Sequence, residues 1–142
     1  MQVQLKGSLQ LTMAIIKPHI TKVPHSLQEM CEKIVLFSFS GPSEVYILAR
    51  QDAIKLWREL MGPTKVYQAQ FTAPDTIRGS FGLSDTRNAT HGSDSPESAK
   101  REIEIFFPKF DIDKWFNEEE KHFVEGNVTL CPKEFIHRIN LK

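Results

Sequence analysis

The chain has 142 residues, of which 25% are charged and 40% hydrophobic, and its formal net charge is zero. This length suits one domain with a hydrophobic core, and this composition is typical of a globular protein. Without an excess of positive charge, the sequence gives no indication of nucleic acid as a partner. No apolar run reaches the length of a membrane span. The two cysteines, Cys31 and Cys131, lie far apart, form no metal-binding pattern and favour a reducing compartment.

Hydrophobic periodicity predicts alternating strands and helices. Residues 11–16 (LTMAII) read as a buried strand that ends at Lys17, and residues 44–50 (EVYILAR) as the clearest central strand. Residues 51–61 have the spacing of an amphipathic helix, which Gly62-Pro63 ends. The same criteria assign a helix to residues 25–34, a long loop to residues 64–75 and a helix to residues 98–107.

Finer assignments concern individual side chains. Asp52 is expected in the first turn of its helix, where it suits the helix dipole. Phe106 and Phe107 are expected in the core beside Ile103. After Pro108 the pattern changes: Trp115 and Phe116 are expected to anchor another short segment, followed by an acidic, solvated turn over residues 118–120.

The densest cluster of reactive polar residues lies between residues 76 and 102. At its centre His91 stands in the run NATHGSDS (residues 88–95), and Ser95-Pro96 predicts the start of a helix. His91 would then precede a helix N-terminus, where phosphate is favoured. A neutral imidazole is a nucleophile if an acceptor holds its other nitrogen, and Glu102, further along the helix, could be that acceptor. The alternative is a histidine satisfied within a loop, but the surrounding polar residues favour chemistry.

The run NATHGSDS, preceded by TIRG (residues 76–79), resembles the signature of the nucleoside diphosphate kinases. The segments SFGLSDTRN (residues 80–88) and LMGPT (residues 60–64) resemble the divergent, type 6-like branch of that family. The resemblance runs from about residue 11 to residue 108. It predicts one domain over residues 1–142, with a family core over about 11–108 and a C-terminal extension over 109–142.

The resemblance implies ping-pong transfer of the γ-phosphate from a nucleoside triphosphate to a nucleoside diphosphate, through a phosphohistidine at His91. Glu102 would hold the imidazole and Ser93 would support that arrangement. Mg²⁺ would be bound through the nucleotide phosphates, with no metal ligand expected from the protein. The family implies five nucleotide-binding residues. Phosphate would be bound by Lys17, Arg58, Thr64 and Arg78, and the ribose hydroxyl by Asn88. A solvated lysine, an exposed helix arginine and a turn-forming asparagine are the ordinary alternatives.

The resemblance and the order of elements predict a ferredoxin-like α/β (α+β) sandwich, in which helices cover one face of an antiparallel sheet. Compared with the family, roughly thirty residues are missing before Gly41, enough for an edge strand and a helical hairpin that clamps the base. The edge of the sheet is therefore expected to be truncated, and no residue is assigned to the base clamp. Phe37 and Phe39 are candidates to replace the lost edge strand, and a role in core packing is favoured over a new base clamp.

Two functions follow. The first is a nucleoside diphosphate kinase whose partners are ATP and other nucleoside tri- and diphosphates, with no nucleic acid and no membrane. The second is a catalytically impaired, shortened chain that only binds nucleotides or protein partners. A homo-oligomer is left open, because the stretch between Thr64 and Arg78 is a few residues longer than in common members of the family, where this loop packs between subunits. The first ten residues lack a secretory signal, which predicts an intracellular location, cytoplasmic or mitochondrial.

Overall fold

The computed structural model describes residues 8–17, 36–40 and 44–141. The predicted helix over residues 25–34 lies outside them. The described chain forms an antiparallel sheet with the strand order β2-β3-β1-β4. Its strands are β1 (Gln10–Ile16), β2 (Leu36–Ser40), β3 (Glu44–Arg50) and β4 (Thr90–Gly92). With the helices described below, this is the ferredoxin-like α/β sandwich that the sequence predicted.

The helical elements follow the strands along the chain. In order they are α1 (Ala53–Met61), α2 (Val66–Thr72), α3 (Ile77–Phe81), α4 (Pro96–Phe106), α5 (Ile112–Lys114), a π-helical turn (Trp115–Glu119) and α6 (Glu120–Val124). A separate hairpin of β5 (Val128–Cys131) and β6 (Ile136–Ile139) follows α6. Among these described helices, none combines the length and the hydropathy that a membrane span requires.

Described helices pack on both faces of the sheet, so the prediction of a single covered face is wrong. One core cluster joins Ala14 and Ile16 of β1 to Trp57 of α1. The other joins Leu11 and Met13 of the same strand to a second set of elements, with Ile103 and Phe107 around α4 and Trp115 and Phe123 further on. Alternate residues of a strand point to opposite faces, so a nearly continuous apolar strand such as LTMAII is buried on both.

Strand β2 occupies one edge of the sheet. The backbone of residues 37 and 39 therefore lies in an edge strand, as the sequence allowed. The strand has five residues, against seven in β1 and β3, and its register against β3 shifts between Leu36 and Ser38. A short, irregular strand is a common way to end a sheet.

The segment over residues 64–75 was predicted as a loop, and this is wrong because it contains α2. Val66 and Ala69 of α2 are buried, and the backbone amide of Val66 donates to Asp85 Oδ1 at 3.0 Å. The carboxylate that satisfies this helix start therefore comes from a different loop. The local sequence offers no such cap, since Lys65 stands at the N-cap position.

The starts of α4 and α1 differ in how well the local sequence predicts them. Ser95 caps α4 as predicted, accepting a hydrogen bond from the amide of Ser98 at 3.1 Å. Asp52 was expected in the first turn of α1 but is its N-cap residue, in a left-handed conformation with φ 52° and without a side-chain cap bond. Phe106 is 42% exposed, so its predicted place in the core is wrong, whereas Ile103 and Phe107 are buried as expected.

The segment after Pro108 packs against the core of the sheet. Trp115, at 1% exposure, lies in the same cluster as Met13 and Ile47, and its ring meets that of Phe123 with centroids 5.4 Å apart. The acidic turn predicted over residues 118–120 is wrong, because these residues continue the helical stretch from the π-helical turn into α6. Glu120 contributes to the packing, accepting a hydrogen bond from the amide of Leu9 at 2.7 Å.

Candidate functional site

Strand β4 fixes the backbone of His91. His91 lies opposite Ile15 in the antiparallel pair with β1, and the Thr90 hydroxyl donates to the Ile15 carbonyl at 2.8 Å. The indole of Trp57 donates to the His91 carbonyl at 3.3 Å. A methyl group added at Gly92 would stand 2.3 Å from the Trp57 ring, so this position has no room for a side chain. The sequence did not predict this strand, which is only three residues long.

Glu102 lies between the imidazole of His91 and the hydroxyl of Ser93. Its Oε1 is 3.3 Å from His91 Nε2, and its Oε2 accepts from Ser93 Oγ at 2.5 Å. The Ser93 hydroxyl in turn accepts from the buried amide of Met13 at 3.3 Å. Ser93 is 1% exposed, whereas the His91 side chain is 47% exposed. A buried chain of hydrogen bonds therefore orients a solvent-accessible ring.

The contact with Glu102 fixes which nitrogen of His91 is available for chemistry. An ionised carboxylate can only accept a hydrogen bond, so Nε2 carries the ring hydrogen in this pair. In the neutral ring Nδ1 then holds the free lone pair. Within residues 8–17 and 44–141, Glu102 is the only hydrogen-bond or ion-pair partner of the His91 side chain. Nδ1 is thus the nitrogen that could act as a nucleophile.

Lys17 is held beside Asn88 at the end of β1. Its ammonium donates to Asn88 Oδ1 at 2.6 Å and to the Thr86 carbonyl at 3.1 Å, while its backbone amide donates to the Ala89 carbonyl at 2.9 Å. Burial lowers the pKa of the Lys17 amine, and the charge of Arg78 lowers it further. The two cations are therefore close enough to repel each other.

Arg78, on α3, contacts the backbone of β4. One guanidinium nitrogen donates to the Gly62 carbonyl at 2.8 Å and the other to the Thr90 carbonyl at 3.1 Å, and the residue is 7% exposed. Burial lowers the pKa of Arg78, and the charge of Arg58 lowers it further. Arg58 itself is exposed in the last turn of α1, as predicted. Buried or crowded cations without a matching carboxylate favour an anionic ligand.

These side chains line one cleft of about 380 Å³. Of the residues that the sequence predicted, the cleft brings seven together: Lys17, Arg58, Thr64, Arg78, Asn88, His91 and Glu102. Ser93 lies behind Glu102, within its hydrogen-bond chain. Residues separated by more than eighty positions in the sequence therefore meet at one surface. The size of the cleft is within the range of small-molecule sites.

Two charged residues of the lining were not predicted. Arg101 was interpreted as a solvated helix residue, and Asp94 was noted only as part of the motif; both line the cleft. A hydrogen bond with the Ser98 side chain lowers the pKa of Asp94. The sequence held a usable signal for Arg101, because residues three and four apart share one helix face and Ser98, Arg101 and Glu102 have this spacing.

The lowered pKa of Lys17 gives a testable pH dependence. For ATP, the ligand that the resemblance implies, we expect the affinity to fall several-fold as the pH rises towards 10.5, the ordinary pKa of lysine, because deprotonation removes a positive charge. Lys17→Arg keeps its charge across that range and should lose much less affinity. The measurement is calorimetric titration with ATP at increasing pH, with Lys55→Arg as the control. Equal alkaline losses in wild type and Lys17→Arg would contradict the assignment of phosphate binding to Lys17.

Within residues 8–17 and 44–141, no group of three metal-ligating side chains comes together. The cleft lining contains Asp94 and Glu102 as its carboxylates in the described part of the chain, and the serine and histidine contacts above occupy Glu102. Such a surface fits Mg²⁺ only if phosphate oxygens and water supply most of its ligands.

Comparison with known proteins gives relatives along most of the chain. Nucleoside diphosphate kinase 6 of Danio rerio is 52% identical over 115 residues, which cover 81% of this chain and 66% of that protein. The corresponding protein of Mus musculus is 57% identical over 106 residues, covering 75% of this chain and 56% of that protein. The chain thus matches between 56% and 66% of the length of these two curated relatives.

The fold comparison agrees. The crystal structure of the Aquifex aeolicus nucleoside diphosphate kinase superposes with a TM-score of 0.61 at 30% sequence identity, covering 70% of this chain and 96% of that one. The sequence model of the family described as nucleoside diphosphate kinase matches residues 23–112, more than half of the chain. The chain therefore belongs to the nucleoside diphosphate kinase family, and its relatives place it near the divergent type 6 branch.

Proposed function

We propose that this chain is a nucleoside diphosphate kinase that transfers phosphate through His91. The observation that carries the proposal is the position of the imidazole, which Glu102 holds at 3.3 Å in a cleft that also contains Lys17, Arg58 and Arg78. Family membership supports the class of reaction.

In the first half-reaction, His91 Nδ1 donates its lone pair to the γ-phosphorus of a nucleoside triphosphate. A phosphorus–nitrogen bond forms as the bond to the β,γ-bridging oxygen breaks, and its electron pair leaves with the nucleoside diphosphate. The ring then gains positive character, which the Glu102 carboxylate stabilises through the hydrogen on Nε2. Ser93 holds the other carboxylate oxygen, at 2.5 Å, and so keeps Glu102 aimed at the ring.

In the second half-reaction, a terminal phosphate oxygen of a different nucleoside diphosphate attacks the phosphohistidine. The new phosphorus–oxygen bond forms as the phosphorus–nitrogen bond breaks, and the electron pair returns to Nδ1. The hydrogen on Nε2 stays in place through both steps, so no proton has to be moved. His91 is restored, and the two half-reactions use one cleft in turn.

Most of the remaining work is electrostatic. Phosphoryl transfer passes through a loose transition state, so catalysis depends on placing positive charge and donors around the phosphate oxygens. Lys17, Arg58, Arg78 and the Thr64 hydroxyl would take this role, and Asn88 would bind the ribose hydroxyl. Mg²⁺, when bound through the phosphates, would neutralise further negative charge.

Incubation with ATP labelled on the γ-phosphate tests the proposal. We expect label on the folded protein that is lost in acid but survives base, as a phosphohistidine requires. Adding unlabelled GDP should move the label to GTP, which separates a true intermediate from a dead-end adduct. Folded protein that takes up no label would remove the catalytic assignment.

A second candidate is a chain that binds nucleotide without turnover. The described cleft lining contains no Phe, Tyr or Trp side chain on which a base could stack. By analogy with proteins that bind nucleic acids, loss of such stacking costs about 1–3 kcal/mol. This loss lowers the affinity for the nucleotide but leaves the phosphate-binding residues in place. Steady turnover with two different nucleotides would exclude this candidate, whereas nucleotide binding without label transfer would support it.

The partners that we propose are nucleoside tri- and diphosphates and a second copy of the chain, in an intracellular compartment. Tyr67 and Phe71 on α2 are each 73% exposed, and their rings lie 4.8 Å apart, so they form an exposed aromatic pair. Such pairs are enriched at interfaces. We expect sedimentation velocity to show an oligomer, and Phe71→Ser to shift it towards monomer. A wild-type protein that stays monomeric at high concentration would contradict this.

A further inference from the structure

The cleft contains a cationic side chain for which the proposed mechanism has not accounted. Arg101 lies on α4 and lines the cleft together with His91. Ser98, Arg101 and Glu102 all line it, and their spacing of three and four residues forms one stripe along the helix. Lys100, the neighbour of Arg101, is also exposed but is not part of the lining.

The guanidinium of Arg101 is available to a ligand. One of its nitrogens donates to Ser98 Oγ at 3.3 Å, which ties the side chain to another residue of the cleft. Within residues 8–17 and 44–141, no carboxylate oxygen lies within 4.0 Å of it. An arginine has five N–H donors, so most of them remain free for an anion.

The charge balance around His91 calls for such a cation. A transferred phosphoryl group brings about two negative charges to the ring. The ring is already in contact with the Glu102 carboxylate, and Asp94 adds a second carboxylate to the lining. Lys17 shares its ammonium with Asn88, and Arg78 shares its guanidinium with two backbone carbonyls, so both offer the phosphate only part of their donors. Arg58 is the remaining cation of the lining and lies on α1, whereas Arg101 lies on the helix that carries Glu102.

We propose that Arg101 is a further catalytic residue of this cleft, whose guanidinium binds the terminal phosphate as it passes between nucleotide and His91. The inference rests on the proposed kinase function. A planar guanidinium can contact two oxygens of one phosphate, and it stays charged at every working pH. Its position on the helix that carries Glu102 keeps it in the same cleft as the imidazole in both half-reactions.

The test compares Arg101→Ala, Arg101→Lys and the control Lys100→Ala. At saturating labelled ATP, Arg101→Ala should form the phosphoenzyme about tenfold more slowly, the loss expected for one charge-assisted hydrogen bond at an exposed site. Arg101→Lys should recover part of the rate, and Lys100→Ala should match wild type. ADP lacks the terminal phosphate, so its affinity for Arg101→Ala, measured by calorimetry, should stay within about twofold of wild type.

The outcomes separate this inference from the proposed function. If wild type takes up no label, the proposed kinase function fails. The affinity for β,γ-imido-ATP then tests Arg101 separately: equal affinities of wild type and Arg101→Ala would overturn the contact between Arg101 and the terminal phosphate. If wild type is labelled and Arg101→Ala is labelled equally fast, the kinase stands and the Arg101 assignment fails. A matching loss of ADP affinity would also overturn it, because Arg101 would then bind the inner phosphates.

Discussion

Replacing His91 with asparagine should abolish both label uptake and nucleotide exchange. Asparagine has no ring nitrogen that can form the covalent intermediate, so the two half-reactions are lost together. Removing a residue on which the whole mechanism depends typically costs on the order of 10⁴-fold or more in turnover. The measurement is steady-state transfer from ATP to a second nucleoside diphosphate, together with the acid and base stability of any bound label.

The expected loss does not come from unfolding. The His91 side chain is 47% exposed, and the Trp57 contact that fixes the strand goes to its backbone carbonyl, which asparagine retains. Stability should therefore change by no more than about 0.5 kcal/mol, the usual range for a surface substitution. His122→Asn is the matched control, because His122 lies on α6 and its Nδ1 is 3.2 Å from the Asn127 amide, away from the cleft. A labelled His91→Asn protein would contradict the assignment.

The parts of the fold that the sequence predicted well were those with local signals. Strands β1 and β3 follow from apolar runs, and the start of α4 follows from Ser95 and Pro96. The local capping signal for α2 is absent, because its first amide binds Asp85, nineteen residues further along. Tertiary contacts of this kind leave no trace in a sequence window.

The same distinction applies to the candidate site. The motif around His91 predicted the imidazole and its partner Glu102, because His91 precedes a helix N-terminus and Glu102 stands about two turns along the same helix. It could not predict that the residue would lie on a strand, since β4 has only three residues and is held by β1. Arg101 was missed because an exposed helix arginine usually faces solvent, although its spacing from Ser98 placed both residues on one helix face. The packing of α4 against β1 shows that this face lines a cleft.

Arg78 was predicted from the family as a phosphate contact, but its geometry adds a structural role. Its two terminal nitrogens join the carbonyl of Gly62, at the end of α1, to that of Thr90, on β4. The hydrogen bonds of a buried guanidinium therefore link the strand that carries His91 to the end of α1. Lysine has a single ammonium on a flexible stem, so it cannot reproduce a fork that spans two separate carbonyls.

Arg78→Lys should therefore lose stability as well as turnover. A buried carbonyl that loses its donor costs about 1–3 kcal/mol, so urea unfolding should show a drop of that size. Arg78→Met should lose a similar amount and, without any positive charge, should turn over about 10²–10³-fold more slowly than wild type at saturating nucleotide. Arg87→Met, in the exposed loop before β4, is the matched control and should affect neither quantity.

The comparison of the two Arg78 variants distinguishes a structural role, in which the guanidinium links β4 to α1, from a role in binding phosphate through its charge. If the guanidinium only binds phosphate, Arg78→Lys keeps wild-type stability and most of its turnover. If the guanidinium only links β4 to α1, both variants lose stability equally, and at saturating nucleotide both have the same turnover rate. A dual role predicts equal stability losses with unequal rates, because lysine keeps the charge that methionine lacks. Raised salt should leave most of the gap between their rates in place, because the interactions of a buried charge are screened much less than those of an exposed one.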